Sequence, residues 1–505
     1  MGFYVTTPIF YVNAAPHLGH AYSMIACDIL ARHHRQLGED VFFLTGTDEH
    51  GEPVALAAEA QGVSPQELAD RNAERFAAII PKLNVTNDFF IRTSDPRHIE
   101  RVQAVMQAVH DNGHVYKGTY VGWYCPRCAD FKGESEIGPG DTCLIHEIPL
   151  LREEEDNWFF RLSAFQERLE QLYADNPEWV TPRVRANEAL SFIKGGLQDV
   201  SLTRGKFDWG IEVPWDDTQV FYVWFDALLN YYTALGFADP EQDLTDRFWP
   251  ASLHVLAKDI LKFHAVIWPA LLMAAELPLP QAEVIHGYLT MNDKKMSKSL
   301  GNVLDPFEII DHFGADALRF YCFREVSFGG DGDVSTKGFE DRYTAELAND
   351  YGNLASRTLN MLRRYADAQV PDVDCDPDLR ADFDGVVDEV CELLGRHEIT
   401  QALERIWQRV RRLNRYVEEQ APWKQAKDPA HADQLAVVLR SLAEGLRTVT
   451  VLLHPYMPES TEKLMDALGV TGETPERFAL TGAGFGDAAA GTAIGELAPL
   501  FPKPQ

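Results

Sequence analysis

GFYVTTPIFYVNAAPHLGH, residues 2–20, decides the fold. Residues 2–9 are apolar, β-branched and aromatic and are interrupted at Pro8, the pattern of a buried strand. Leu18, Ala21, Tyr22, Ile25, Ala26, Ile29 and Leu30 then recur at helical spacing, which predicts a helix over 17–36. VFFLTGTDEHG at 41–51 repeats the sequence of apolar strand, Gly/Thr turn and helix start. The same rhythm returns at QVFYVWFDALLNYY (219–232), HVLAKDILKFHAVIWPALL (254–272) and EVIHGYL (283–289). Strands alternating with helices predict an α/β domain on a parallel sheet, its site at the carboxyl ends of the strands.

Between about 115 and 220 the text changes to Gly/Pro and acidic segments around Cys125, Cys128, Cys143 and His146, which predicts an insertion splitting the α/β domain. From about 345 onward the patterns are helical, notably 345–365 and 398–423, so the C-terminal third reads as a helix bundle. The stretch 371–384 holds six Asp and one Arg and reads as a solvated loop. The expected boundaries are 1–115 and 219–300 for the two halves of the α/β domain, 116–218 for the insertion, 301–345 for a connecting region and 346–505 for the bundle.

Composition narrows the class. The 505 residues are 46% hydrophobic and 24% charged, ordinary globular values that exclude disorder and fibre. No stretch approaches the ~20 apolar residues needed to span a bilayer, and the start lacks the basic and apolar regions of a secretory signal. N-myristoylation at Gly2 is not expected, since the residues after it read as a buried strand. Seven sparse cysteines argue for a reducing, cytoplasmic setting rather than a disulfide framework. With 77 acidic residues against 46 Lys and Arg, the net charge of −31 argues against a nucleic-acid partner. That total hides an asymmetry, because residues 401–424 hold six Lys/Arg and three Glu.

Three constellations carry chemistry. Pro16-His17-Leu18-Gly19-His20 follows a strand and opens a helix, where unpaired N–H groups and the helix dipole suit phosphate. His17 and His20 share one side of the first turn, and Gly19 lets a flat base approach the backbone. The alternative is a strand-helix turn with two surface histidines. Lys294-Lys295-Met296-Ser297-Lys298-Ser299 places Lys295 and Lys298 three apart among small hydroxyls. Such a mobile cationic clamp stabilises charge developing on a leaving pyrophosphate, where the bland reading is a basic surface loop. Cys125-Pro-Arg-Cys128 and Cys143-Leu-Ile-His146 have the spacing of a closed structural zinc knuckle, against coincidence among reduced thiols.

HLGH paired with a distant KMSKS resembles the class I aminoacyl-tRNA synthetases. TPIFYVNAAPHLGH, TGTDEHG, FYVWFDAL, HGYLTMNDKKMSKSLGN and NRYVEEQAPWK narrow the resemblance to the methionyl-tRNA synthetases of the single zinc-knuckle type, and these segments run from residue 7 to 424. The resemblance implies a Rossmann-like catalytic domain split by a zinc-binding connective insertion, followed by an all-α anticodon-binding bundle. It implies ATP-dependent attachment of L-methionine to initiator and elongator tRNA(Met) through methionyl adenylate, with Mg²⁺ accompanying ATP and one structural Zn²⁺ per chain.

By position it assigns ATP to His17, Gly19, His20, Lys295, Ser297 and Lys298, and methionine to Ile9, Tyr11, Asp48, Trp224, Ala227, Leu228, Tyr231 and His286. Asp48 would hold the substrate ammonium, and a thioether beside aromatic rings gains sulfur–aromatic contact. Arg204 matches a family arginine that contacts the reacting groups, with a departure at Gly205-Lys206; Leu228 departs where the family often has proline. The anticodon would be read by Asn353, Arg357 and Trp423. Methylene-scale selectivity is limited to roughly 1–3 kcal/mol, so hydrolytic editing of near mimics is expected from the family. The competing readings are a related synthetase for cysteine or a branched amino acid, a catalytically silent tRNA-binding protein, and a non-synthetase nucleotidyltransferase. A monomer is expected.

Overall fold

The apolar run at the N terminus forms inner strand β1 (Phe3–Thr6) of a parallel sheet, and after Pro8 the chain resumes pairing as β2 (Phe10–Tyr11). Proline donates no ladder hydrogen bond, so the predicted strand stops before Pro8, and β2 lies beyond the predicted run. The helix predicted over 17–36 is α1 (Leu18–Gln36). The computed structural model describes residues 2–126, 128, 130–145, 147–205, 208–291, 294–295, 306–487 and 490–502. It divides into one unit of Met1–Pro16, Phe42–Ile79 and Asn87–His286, and a second of His17–Val41, Ile80–Thr86 and Gly287–Gln505.

The first unit carries the seven-stranded sheet. Its further strands are β3 (Val41–Asp48), β4 (Phe89–Arg92), β5 (Val180–Thr181), β6 (Leu253–Ala257) and β7 (Glu283–His286). The order is β5-β7-β6-β1-β3-β2, with β4 also on β3. β1 runs parallel to β6 with Val5 opposite Leu253, and β6 runs parallel to β7 with Val255 opposite Val284. Inner strands buried on both faces explain the near-continuous apolar runs that replace strict alternation. Helix α2 (Pro96–Asp111), capped by the Asp95 carboxylate accepting from the Arg97 N–H, and the short α3 (Val223–Leu228) complete the parts of this unit that matter for the site.

The expected insertion is built on a long antiparallel hairpin, Val115–Cys125 against Leu151–Phe160, with the cysteine segment between its strands. One part of 116–218 is not separate. β5 lies within it and pairs in parallel with β7, Val180 opposite Glu283. A two-residue strand is too short to announce itself by periodicity.

In the second unit α1 is held by a buried charge network. Asp28 binds Arg32 (2.8 Å) and Arg319 (2.7 Å), the latter on α4 (Ala315–Glu325), and takes hydrogen bonds from the Thr86 N–H and hydroxyl. Arg319 is fully buried and also donates to the carbonyls of Leu83, Pro455 and Tyr456. The two arginines hold the Asp28 carboxyl far below the usual carboxylate range, against the opposing effect of burial. The bundle beyond is formed by α5 (Asn353–Tyr365), α6 (Ile399–Gln420), the one-turn α7 (Pro422–Gln425) and α8 (Ala432–Leu453). Ile399, Ala402, Leu403, Ile406, Val410, Leu413 and Val417 make the buried face of α6 at spacings of three and four. Among the described residues, no helix is long and apolar enough to cross a membrane.

Candidate active site

The structure gathers most of the expected amino-acid pocket in the first unit. A cavity of about 60 Å³ is lined by Pro8, Ile9, Tyr11, Asp48, Trp224, Ala227, Leu228, Tyr231, Ile260 and His264. The break at Pro8 puts Ile9 and Tyr11 at the carboxyl end of the sheet, β3 delivers Asp48 at its last residue, and α3 turns Trp224, Ala227 and Leu228 inward. Trp224 lies flat on Phe263, with ring centroids 3.7 Å apart and planes at 7°, while Tyr11 meets Trp224 edge-on at 6.2 Å. The walls are therefore aromatic and set before any ligand arrives.

Two polar groups mark opposite needs. Tyr231 Oη lies 2.8 Å from His264 Nε2, and His264 Nδ1 lies 3.1 Å from the Ile260 carbonyl. A carbonyl only accepts, so Nδ1 carries the proton, and the Tyr231 hydroxyl donates to Nε2. Burial pushes His264 down to about 4, so the ring is neutral at physiological pH. Asp48 is 3% exposed, and its Oδ1 has no hydrogen-bond partner among the described residues. Burial, and then the neighbouring Asp226 and Glu49, raise its pKa well above the ordinary value, opposed by a hydrogen bond from the His50 backbone. A buried carboxylate oxygen with nothing to accept is costly unless a cation or donor completes it.

His286, expected in this pocket, is not among the lining residues. It ends β7, and the imidazole of the cavity is His264. The missed signal was local: Ile260 and His264 are four apart and share one helical face. Arg204 also lies outside the lining set. It is buried on the short strand Thr203–Arg204, its Nε donates to Glu155 Oε2 at 3.1 Å, and its guanidinium sits over the Tyr124 ring at 4.3 Å.

The HLGH turn, in the second unit, is a reciprocal cap. His17 Nδ1 accepts from the Gly19 N–H and His20 Nδ1 accepts from the His17 N–H, each at 3.1 Å. The two rings stack with centroids 3.7 Å apart. Partial burial and the adjacent His17 lower the His20 pKa well below the usual imidazole value. A Cβ on Gly19 would sit 3.0 Å from His17 Cε1, so a side chain there would push the first ring out of its cap. Of the second motif, Lys294 and Lys295 form a short strand opposite Met291 and Thr290; Ser297 and Lys298 lie outside the described residues.

The sulfur atoms of Cys125, Cys128 and Cys143 all lie within 4.8 Å of one another, with Cys128 Sγ and Cys143 Sγ 3.6 Å apart. That is too far for a disulfide and suits thiolates around one metal ion. Among the described residues, Cys125, Cys143 and Leu150 are the buried members of the small cluster there, a core too small to hold the segment alone. His146 lies outside the described residues. In the bundle, Asn353 is exposed at the start of α5, Arg357 one turn on lies over the Trp423 ring at 5.5 Å, and Arg357 Nη2 donates to Glu418 Oε1 at 2.8 Å. Ala421, at φ 43°, ends α6, and Pro422 starts the turn that carries Trp423.

A parallel-sheet domain with a histidine-capped helix, an interrupting cysteine knuckle and a helix bundle is the build of a class I aminoacyl-tRNA synthetase, and the family model "tRNA synthetases class I (M)" matches residues 3–146 and 139–359. The methionine–tRNA ligase of Streptomyces coelicolor is 44% identical, with 99% of this chain and 96% of that protein covered; that of Rhizobium meliloti is 45% identical, with 99% and 98% covered. The Mycobacterium tuberculosis methionyl-tRNA synthetase in complex with methionyl-adenylate superposes with a TM-score of 0.94 at 41% identity, covering 99% of both chains. The chain belongs to the methionyl-tRNA synthetase family.

Proposed function

We propose that this chain joins L-methionine to tRNA(Met), initiator and elongator, through methionyl adenylate, at the expense of ATP. The observation that carries the reading is the cavity itself: aromatic walls for a thioether and, in the same lining, a buried carboxylate oxygen with no partner among the described residues. Asp48 accepts the ammonium of the amino acid, leaving its carboxylate to attack the α-phosphorus of ATP in line and release pyrophosphate. Trp224, Tyr11, Ile9, Ala227 and Leu228 shape the side-chain site. The Tyr231–His264 pair supports it with a fixed donor direction, because the neutral imidazole accepts the tyrosine proton.

His17, Gly19 and His20 hold ATP through the backbone and rings of the capped turn, and Lys295, Ser297 and Lys298 stabilise the departing pyrophosphate. The reading assigns Arg204 to contact with the reacting groups, although it lies outside the cavity lining and is bonded to Glu155. No protein nucleophile is needed, so catalysis is positioning and charge stabilisation. Mg²⁺ enters with ATP. Cys125, Cys128, Cys143 and His146 hold one Zn²⁺, which braces the insertion. Asn353, Arg357 and Trp423 read anticodon bases, the indole by stacking and the polar groups by hydrogen bonds.

The reading assigns 1–115 and 219–300 to catalysis, 116–218 to the insertion apart from β5, 301–345 to the KMSKS loop and stem contact, and 346–505 to the anticodon. It describes a cytoplasmic monomer. Methionine-dependent exchange of pyrophosphate into ATP, measured with a panel of amino acids, tests the first step. Exchange with methionine alone is expected, and exchange with cysteine or leucine instead would overturn the reading. Charging of tRNA(Met) after treatment with a zinc chelator tests the knuckle: activity should fall as zinc leaves and return with added zinc.

A further inference from the structure

Two residues beyond Asp48, at His50, begins a chain of buried polar groups outside the cavity lining that none of the steps above uses. Asp226, on α3 between the lining residues Trp224 and Ala227, turns away from the cavity. Its Oδ2 lies 2.6 Å from His50 Nδ1 and its Oδ1 lies 2.8 Å from His98 Nε2, on α2. The other nitrogen of His98, Nδ1, is 2.7 Å from Thr233 Oγ1. All four residues are buried, and Asp226, His98 and Thr233 have no exposure at all.

A carboxylate that accepts from two imidazoles is clamped in its ionised form, so a negative charge is held on α3 between two residues of the cavity lining and bonded to the ring two residues beyond Asp48. Of the other charged groups facing Asp48, Glu49 is already matched, its two oxygens taking bonds from Arg92 at 2.7 and 2.9 Å. His50 touches both sides: its ring donates to Asp226 and its backbone N–H donates to Asp48. Two carboxylates close together in a dry site do not both ionise readily. The raised pKa of Asp48, caused first by burial and then by Asp226, agrees with that geometry.

We propose that Asp226, clamped between His50 and His98, couples methionine binding to the release of a proton. While the pocket is empty the clamped charge keeps a proton on Asp48. When the ligand ammonium arrives, that carboxylic O–H bond breaks, the proton leaves to solvent water, and the Asp48 carboxylate pairs with the ammonium. Asp226 is thus a positioning residue that sets the pH threshold of amino-acid binding without touching the amino acid. The inference rests on the assignment of Asp48 to the ammonium.

Thr233 makes a clean test possible. Asp226→Asn has the same shape but offers one acceptor and one donor. His98 can meet the donor by moving its proton to Nδ1, where the Thr233 hydroxyl accepts it, so the hydrogen-bonded chain survives while the charge is lost. Methionine binding to the whole protein is measured by calorimetry between pH 5 and 7.5 in buffers of different ionisation enthalpy, which counts protons. Wild type should release up to about one proton along the acid limb of its affinity profile. In Asp226→Asn that limb should move about one pH unit lower, with the release following it.

An unchanged limb and proton count in Asp226→Asn overturns the proposal, as does a loss of affinity equal at every pH, which is what a merely structural role would give. A second measurement needs no variant: an analogue of methionine lacking the α-amino group, binding to wild type, should release no proton. Release equal to that with methionine overturns the proposal. Asp48→Asn separates the two levels, for undiminished methionine affinity in that variant would instead refute the ammonium assignment.

Discussion

Two tryptophans, assigned to methionine and to the anticodon in the proposed function, stand in opposite surroundings. Trp224 is 8% exposed and lies flat against Phe263 at 3.7 Å, within a pocket whose other walls are also aromatic or aliphatic. Trp423 is half-buried, follows a left-handed residue and a proline, and stands under Arg357 at 5.5 Å. The first is ordered by its packing, so a small ligand meets a cavity whose conformational cost was met during folding. The second is aimed by backbone geometry and keeps surface available, as stacking by an unpaired base requires. On the proposed assignments, small-molecule selectivity falls where burial magnifies each polar defect, and RNA reading where several modest contacts add.

The largest effect that could break this contrast belongs to Asp48. If Asp48 pairs with the ammonium as proposed, Asp48→Asn removes the partner of a desolvated cation and should cost about 3–5 kcal/mol in kcat/KM for methionine in pyrophosphate exchange, a loss of at least a hundredfold; a loss under tenfold would count against that pairing.

Next in size is a stability effect on the buried side. Glu283 on β7 is fully buried, neither carboxyl oxygen has a partner among the described residues, and burial pushes it up to about 8. The folded protein holds a proton that the unfolded chain releases near pH 4–5. The unfolded state therefore binds fewer protons, and this residue lowers stability as pH rises to about 8. Between pH 5 and 7.5 it should account for about 3 kcal/mol. Denaturant unfolding should show that slope in wild type and its disappearance in Glu283→Gln.

On the exposed side the expected changes shrink. Trp423→Ala should cost about 1–3 kcal/mol in tRNA charging while leaving pyrophosphate exchange unaltered, and equal loss in both assays would remove Trp423 from RNA recognition. Smallest is Glu418→Gln, which frees Arg357 from an ion pair whose carboxylate is 62% exposed. Exposed pairs are worth about 0–1 kcal/mol, so tRNA affinity should tighten by no more than about fivefold, measured at low salt where the charge change is largest.

What could be read without coordinates was whatever is contiguous. The alternation of strand and helix, the HLGH turn, the cysteine spacing and the amphipathic run of α6 each lie within a few turns of chain, so periodicity or composition exposes them. Trp224, Ala227, Leu228 and Tyr231 are spaced three, four and seven apart, one helical face in the sequence, yet that face alone would equally fit core packing. The cavity shows its difference only because Ile9, Tyr11 and Asp48 come from other strands. His264 sat inside an apolar run that reads as buried helix, and His286, in a more conspicuous HGYL, drew the assignment away from it. The Asp226 clamp had no local trace, since its partners are 176 and 128 residues distant. Net charge misled for a related reason: a sum over 505 residues says nothing of where Arg357 stands.

The network around Asp28 has a consequence for the order in which the protein can be made. Helix α1 begins with the histidine cap and is secured by Arg319, whose own carbonyl partners include Pro455 and Tyr456; Gln36 at its far end donates to the carbonyls of Val451 and Phe478. A ribosome has therefore translated nine-tenths of the message before the helix behind the histidine-capped turn finds its last supports. A nascent chain cut short before residue 451 would retain every residue lining the cavity and still lack the supports that fix the histidine-capped helix.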